Sequence, residues 1–130
     1  MGSFVYFLSF IMILFPFDTK EIENKAVTLG EDLVSCVIED KEIFSEYAVY
    51  IGEKLQLALQ EKRQEFLIGY EIEFCKGDLK FPYGDGKAQY RIIIYSSKKE
   101  ELLTLRLKYD KKEAKFHILG FVSSKIGSML

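Results

Sequence analysis

The sequence predicts an α+β domain, two N-terminal helices packed on a curved four-stranded antiparallel sheet. Apolar residues step by three and four as far as Leu59, then recur at every second position from Ile68 onward, a change of period from near 3.6 to 2. The alternating stretches are divided by Gly-, Pro- and Asp-rich or charged turns, as in a meander. With 130 residues there is room for one domain, and 48% hydrophobic and 15% aromatic content excludes a disordered chain.

Asp18 or Thr19 is placed to cap the first helix after Pro16 and Phe17, with Glu21 favouring its N-terminal dipole. Ile22, Ala26, Leu29, Leu33 and Val37 form its apolar stripe, and Gly30 weakens its middle. Asp40 is expected to cap a second helix that buries Ile43, Phe44, Tyr47, Ala48, Ile51, Leu55 and Leu59 and fades around Lys62 to Glu65. Ile68, Tyr70, Ile72 and Phe74 alternate with Gly69, Glu71 and Glu73, a half-buried first strand. Pro82-Tyr83-Gly84-Asp85-Gly86 supplies a hairpin turn. Tyr90 to Tyr95 is strongly β-favouring and apolar on both faces at Ile92 to Ile94, which marks a central strand. After a turn at Ser96 to Glu100, Leu103, Leu105, Leu107 and Tyr109 alternate with Thr104, Arg106 and Lys108. Asp110 to Glu113 turns the chain into a last strand through Phe116, Ile118 and Gly120 that ends near Val122.

Ahead of this domain, Phe4 to Phe17 (FVYFLSFIMILFPF) is uncharged and almost wholly apolar. Its length suits the apolar core of an export signal, although no basic residue precedes it and no A-x-A pattern follows. It is shorter than the roughly 20 apolar residues of a spanning helix. A buried strand or core segment is the other reading. The expected organisation is therefore residues 1–17 as a signal or anchor, or else a core strand, followed by a single α+β domain over 18–130. The first reading makes the protein exported or membrane-associated, in a bacterial envelope. The second leaves it cytoplasmic.

Eighteen Lys and Arg against 20 Asp and Glu give a net charge of −2, which offers no footprint for nucleic acid. Cys36 and Cys75 have no second Cys or His at metal-ligand spacing, so no metal is expected. They are read as free buried thiols, with pairing in an exported domain as the alternative. Gly84-Asp85-Gly86 lacks the G-K-[ST] of a phosphate loop, and nothing in the chain calls for a cofactor.

VSCVIEDKEIFSEYA (Val34 to Ala48) reads as a helix, a small acidic break and a second helix, and LTLRLKYDKKEAKFHILGF (Leu103 to Phe121) as a closing hairpin. In these segments and in the order of its elements the chain resembles the cystatin-like α+β roll, and within it the nuclear transport factor 2-like superfamily. The resemblance implies a cone-shaped domain with a pocket between sheet and helices. Members of that superfamily include small-molecule enzymes, binding or dimerising modules and small exported bacterial domains, so the resemblance does not select a function.

Tyr47, Tyr70, Tyr90, Arg91 and Tyr95 are the candidate ligand-binding set, with tyrosine hydroxyls lining a pocket. Arg91 is placed to meet an acidic ligand, or Glu71 or Glu73 across the sheet. Core aromatics with their tips in water are the alternative for the tyrosines. His117, the single histidine, should face outward with Lys115, and with Leu119 and Phe121 it forms a candidate interface, while no catalytic residue is assigned. The sequence points first to a non-enzymatic binding or interaction domain, exported or membrane-tethered through residues 4–17. Its expected partner is a protein or a small apolar or aromatic ligand, with homodimerisation through an exposed sheet face. One alternative is a small-molecule isomerase, dehydratase or hydrolase on the same roll, with the tyrosines and Arg91 orienting substrate. Another is a cytosolic dimeric partner-binding protein such as a secretion chaperone.

Overall fold

The computed structural model describes residues 18–76 and 89–124. The Phe4 to Phe17 run, the Pro82 to Gly86 turn and the tail beyond Ser124 lie outside the described residues. The α+β class is as expected: helices come first, and a four-stranded antiparallel sheet in the order β1-β2-β3-β4 follows without closing into a barrel.

Helix α1 (Asp18–Ile38) buries Ile22, Ala26, Leu29, Leu33 and Val37, the stripe its spacing predicts, and Val34 beside it. Gly30 has a packing role. A Cβ there would stand 3.0 Å from Ile72 Cδ1 and 3.1 Å from Ile92 Cδ1, so the missing side chain lets the helix lie close on the sheet. That contact offsets the roughly 1 kcal/mol glycine costs in a helix interior.

The expected second helix does not begin at Asp40. Asp40 instead ends α1, in the left-handed region at φ 56°. Its N–H donates to the Val37 carbonyl at 3.2 Å and the Lys41 N–H to the Cys36 carbonyl at 2.9 Å, the two bonds of a Schellman stop. The next segment runs irregularly along the edge of the sheet. Phe116 N–H donates to the Tyr47 carbonyl at 2.7 Å, and Val49 N–H to the Phe116 carbonyl at 2.9 Å. Ser45, 2% exposed, ties the segment to α1 by donating to Asp32 Oδ2 at 2.7 Å. These long-range bonds satisfy the backbone outside a helix, and Phe44, expected to be buried, is 65% exposed.

Helix α2 (Glu53–Glu61) follows Gly52 and buries Leu55, Ala58 and Leu59; after Lys62, helix α3 (Arg63–Ile68) buries Phe66. The buried Lys62 ammonium donates to the Ser124 carbonyl. Arg63 spreads its guanidinium over the end of α1, with Nε and Nη2 each 3.0 Å from the carbonyls of Val37 and Ile38. Ile68 is not the first inward residue of a strand; it closes α3 at 77% exposure, and Gly69 at φ 154° makes the turn into β1.

Strands β1 (Tyr70–Lys76), β2 (Gln89–Ser96), β3 (Glu101–Asp110) and β4 (Lys115–Ser123) pair in antiparallel order. One face of the sheet carries Ile72, Ile92, Ile94, Leu103, Leu105, Leu107 and Phe116 into the core beneath the helices. Two bulges interrupt the alternation. Leu102, fully buried, is skipped between the Ile94–Leu103 and Tyr95–Glu101 pairs. Leu119 is skipped between Leu107–Ile118 and Arg106–Gly120. The second bulge changes the parity of β4, so Phe121, expected on the outward side with His117, packs against the core instead.

Candidate functional site

The sheet divides the predicted ligand-binding residues between its two faces. On the inner face, Tyr70 meets Phe66 edge-on at 6.2 Å between ring centroids, and Tyr90 stacks on Phe74 at 5.5 Å. Tyr47, in the segment beside β4, packs against the same core. Arg91 and Tyr95 lie on the outer face, because odd positions of β2 alternate with the inward Ile92 and Ile94. The five residues therefore do not converge on one pocket. The space between sheet and helices is filled by leucine, isoleucine and phenylalanine side chains, with Leu29, Leu33, Leu105, Leu107, Phe66 and Phe116 each at most 1% exposed.

No described helix packs on the outer face, and the strand register orders its side chains into rows. Glu71, Tyr95 and Glu101 lie at one end. Next come Glu73, Ile93, Thr104 and Val122, and then Cys75, Arg91, Arg106 and Gly120. Lys108 with His117, then Asp110 with Lys115, complete the other end. The face thus runs from acidic to basic along the strands, with Ile93, only 7% exposed, in its middle.

Within this face, the Tyr95 hydroxyl donates to Glu73 Oε1 at 2.8 Å. The bond to a charged carboxylate holds the phenol proton and pushes the Tyr95 pKa up to about 12. The Cys75 thiol is also raised, chiefly by burial and then by the Glu73 charge, so it is a weakened nucleophile. Cys36 donates to the Phe44 carbonyl at 3.5 Å, and both cysteines are free thiols. A shallow, open depression at the acidic end is lined by Glu71, Ile72, Glu73, Tyr95 and Lys99.

His117 faces outward as expected, with Nε2 3.5 Å from Asp110 Oδ2. Asp110 organises the β3–β4 turn: its Oδ1 accepts from the N–H groups of Lys112 at 2.9 Å and Glu113 at 3.3 Å. Those backbone bonds, led by Glu113 and aided by His117, hold the Asp110 carboxyl below the usual carboxylate range. Leu119 is 42% exposed at its bulge, and Val122, 66% exposed, joins the outer face. Alternation with Ile72, Leu103 and Leu105 put Glu73, Thr104 and Arg106 on the outward side in the sequence, whereas their row partners, and Glu101 beyond the bulge, follow only from the strand register.

Among the described residues, no three His, Cys, Asp or Glu side chains are grouped to hold a metal ion, and no helix is long and apolar enough to cross a membrane. The chain matches no family model, no curated protein and no solved structure.

Proposed function

We propose that this protein is a non-enzymatic interaction domain that binds its partner through the outer face of the sheet. The observation that carries this reading is the contrast between the two faces. The helix-covered side is a filled apolar core, whereas the opposite side presents ordered rows of Glu, Arg, Tyr and Thr over four strands. A small-molecule enzyme needs convergent polar groups in a concave site, and Tyr70 and Tyr90 stand on the other side of the sheet from Arg91 and Tyr95. Resemblance to the nuclear transport factor 2-like superfamily enters through architecture alone, in the sequential antiparallel sheet with helices on one face.

The same proposal includes export or membrane tethering through residues 4–17, whose apolar run precedes a helix that starts at Asp18. On this reading the protein is an envelope domain that displays a sheet face to a partner.

The test is a photo-activatable phenylalanine analogue placed at Thr104 on the outer face or at Lys54 on the solvent side of α2, with cross-linking in cells that make the full chain. Discrete adducts at position 104 and none at position 54 support the proposal. Adducts only at position 54 refute it. So does turnover of a small substrate that Tyr70→Phe or Tyr90→Phe abolishes.

A further inference from the structure

The rows of the outer face complement a reversed copy of themselves. Resting on the proposal that this face is the binding surface, we infer that its partner is a second copy of this chain, related by a two-fold axis that crosses the strands between Ile93 and Arg91. Such an axis reverses strand direction across the interface. It keeps each strand over its own copy, laying Glu101 of one copy over its partner's Lys108 on β3 and Glu73 over its partner's Cys75, one strand to the side of the partner's Arg91. The two-fold repeats both contacts, so one patch supplies both halves of the charge pairing.

Two details within the single chain fit this arrangement. Arg91 and Arg106 are direct cross-strand partners on an exposed face, a like-charge pairing that disfavours the sheet unless an acidic group neutralises it. Glu73 of the overlying copy, one strand to the side of Arg91, offsets part of that repulsion. Lys99 stands beside Glu71 and Glu73 at the depression and offsets part of the acidic charge there.

The competing way to join two copies is edge to edge through β1, whose other edge pairs with no described strand. Antiparallel pairing of β1 with itself centred on Glu73 opposes Glu73 to Glu73, and centring on Ile72 opposes Glu71 to Glu73. Both registers place like charges together, and centring on Phe74 avoids them only by opposing Ile72 to the Lys76 ammonium. The face is therefore favoured over the edge.

Size sets the strength expected. Four strands about 4.8 Å apart and about eight residues long at 3.3 Å each give a flat footprint of roughly 500 Å². A stable interface takes about 800 Å² of accessible surface per partner, so this dimer is small, moderate in affinity and dependent on charge.

The test is sedimentation equilibrium of the full-length chain in a non-ionic detergent, with three preparations. The wild-type chain should be a reversible dimer whose dissociation constant rises about tenfold or more between 0.05 and 0.5 M NaCl. Arg91→Glu with Arg106→Glu makes both ends of the face acidic, and Glu73→Lys with Glu101→Lys makes both ends basic. Each double variant alone should self-associate roughly a hundredfold more weakly, and an equimolar mixture of the two should regain the dimer. Recovery on mixing cannot come from misfolded chains. A wild-type chain that stays monomeric overturns the inference, as do variants that dimerise unchanged or a mixture that fails to associate. If the wild type is monomeric while position 104 still cross-links to a different protein, the second copy falls and the interaction face stands.

Discussion

Tyr95 and Glu73 are joined across two strands by a 2.8 Å hydrogen bond that lies on the outer face of the sheet. The phenol is solvent-accessible, yet its proton is held to about pH 12 because losing it would set a phenolate against a carboxylate. The bond fixes the rotamer of both side chains at the acidic end of the charge pattern.

Its titration gives the first prediction. The folded-state pKa of Tyr95 lies above the unfolded value of 10.0, so any stabilisation from this pair is complete below pH 10 and lost as pH rises through about 12. Glu73→Gln should return the Tyr95 titration towards 10, followed by phenolate absorbance against a Tyr95→Phe control. An unchanged late-titrating tyrosine in Glu73→Gln would show that the bond does not hold the proton.

Arg63 tests how the helical layer is tied together. Its guanidinium donates to the carbonyls of Val37 and Ile38 in the last turn of α1, where the Val37 oxygen also accepts from the Asp40 N–H. Arg63→Lys cannot reproduce that fork and should cost about 1–2 kcal/mol by urea unfolding. Arg63→Lys with wild-type stability would mean that water caps α1 as well as the arginine does.

Gly30 tests the approach of α1 to the sheet. With Ile72 and Ile92 methyl groups 3.0–3.1 Å from where a Cβ would sit, Gly30→Val should overpack the contact and destabilise the fold by about 1–3 kcal/mol. Pairing it with Ile72→Ala should recover part of that loss. A stabilising Gly30→Val, as helix propensity alone would give, would contradict the packing account.

Much of this was legible in the sequence, and the failures have physical causes. The stripe of α1 and the alternation Leu103, Leu105, Leu107 fall where they were expected, because each periodicity is backed by burial on one face. Asp40 misled because aspartate favours both a helix N-cap and a left-handed stop, and only the bonds back to Val37 and Cys36 distinguish the two. The run from Ile43 to Ile51 has helical spacing, but pairing with Phe116 on the sheet edge overrides local propensity. In β4 a strict alternation placed Phe121 outward. Gly120 was the available cue, since glycine inside a strand often marks a bulge. For the candidate site, parity alone separates Tyr90 from Arg91 and Tyr95, whereas the acidic-to-basic order of the face needs the register between strands.

The domain over 18–130 is expected to fold without the apolar run, since α1 already supplies Ile22, Ala26 and Leu29 to the core. A chain starting at Asp18 should melt cooperatively and retain the helical and strand signals of the full chain. An insoluble or unfolded product would make residues 4–17 part of the core and remove the argument for export.

The most direct measurement of the central claim compares the two cysteines in living cells. Cys75 lies on the outer face and Cys36 on α1, so their alkylation by a membrane-permeant maleimide reports on the two sides of one molecule. The ratio of Cys75 to Cys36 modification, read by mass spectrometry, should be several-fold lower in cells than in dilute purified protein, because a partner covers the sheet face there. An equal ratio in both settings would mean that the outer face stands open in the cell, and it would contradict the proposed function.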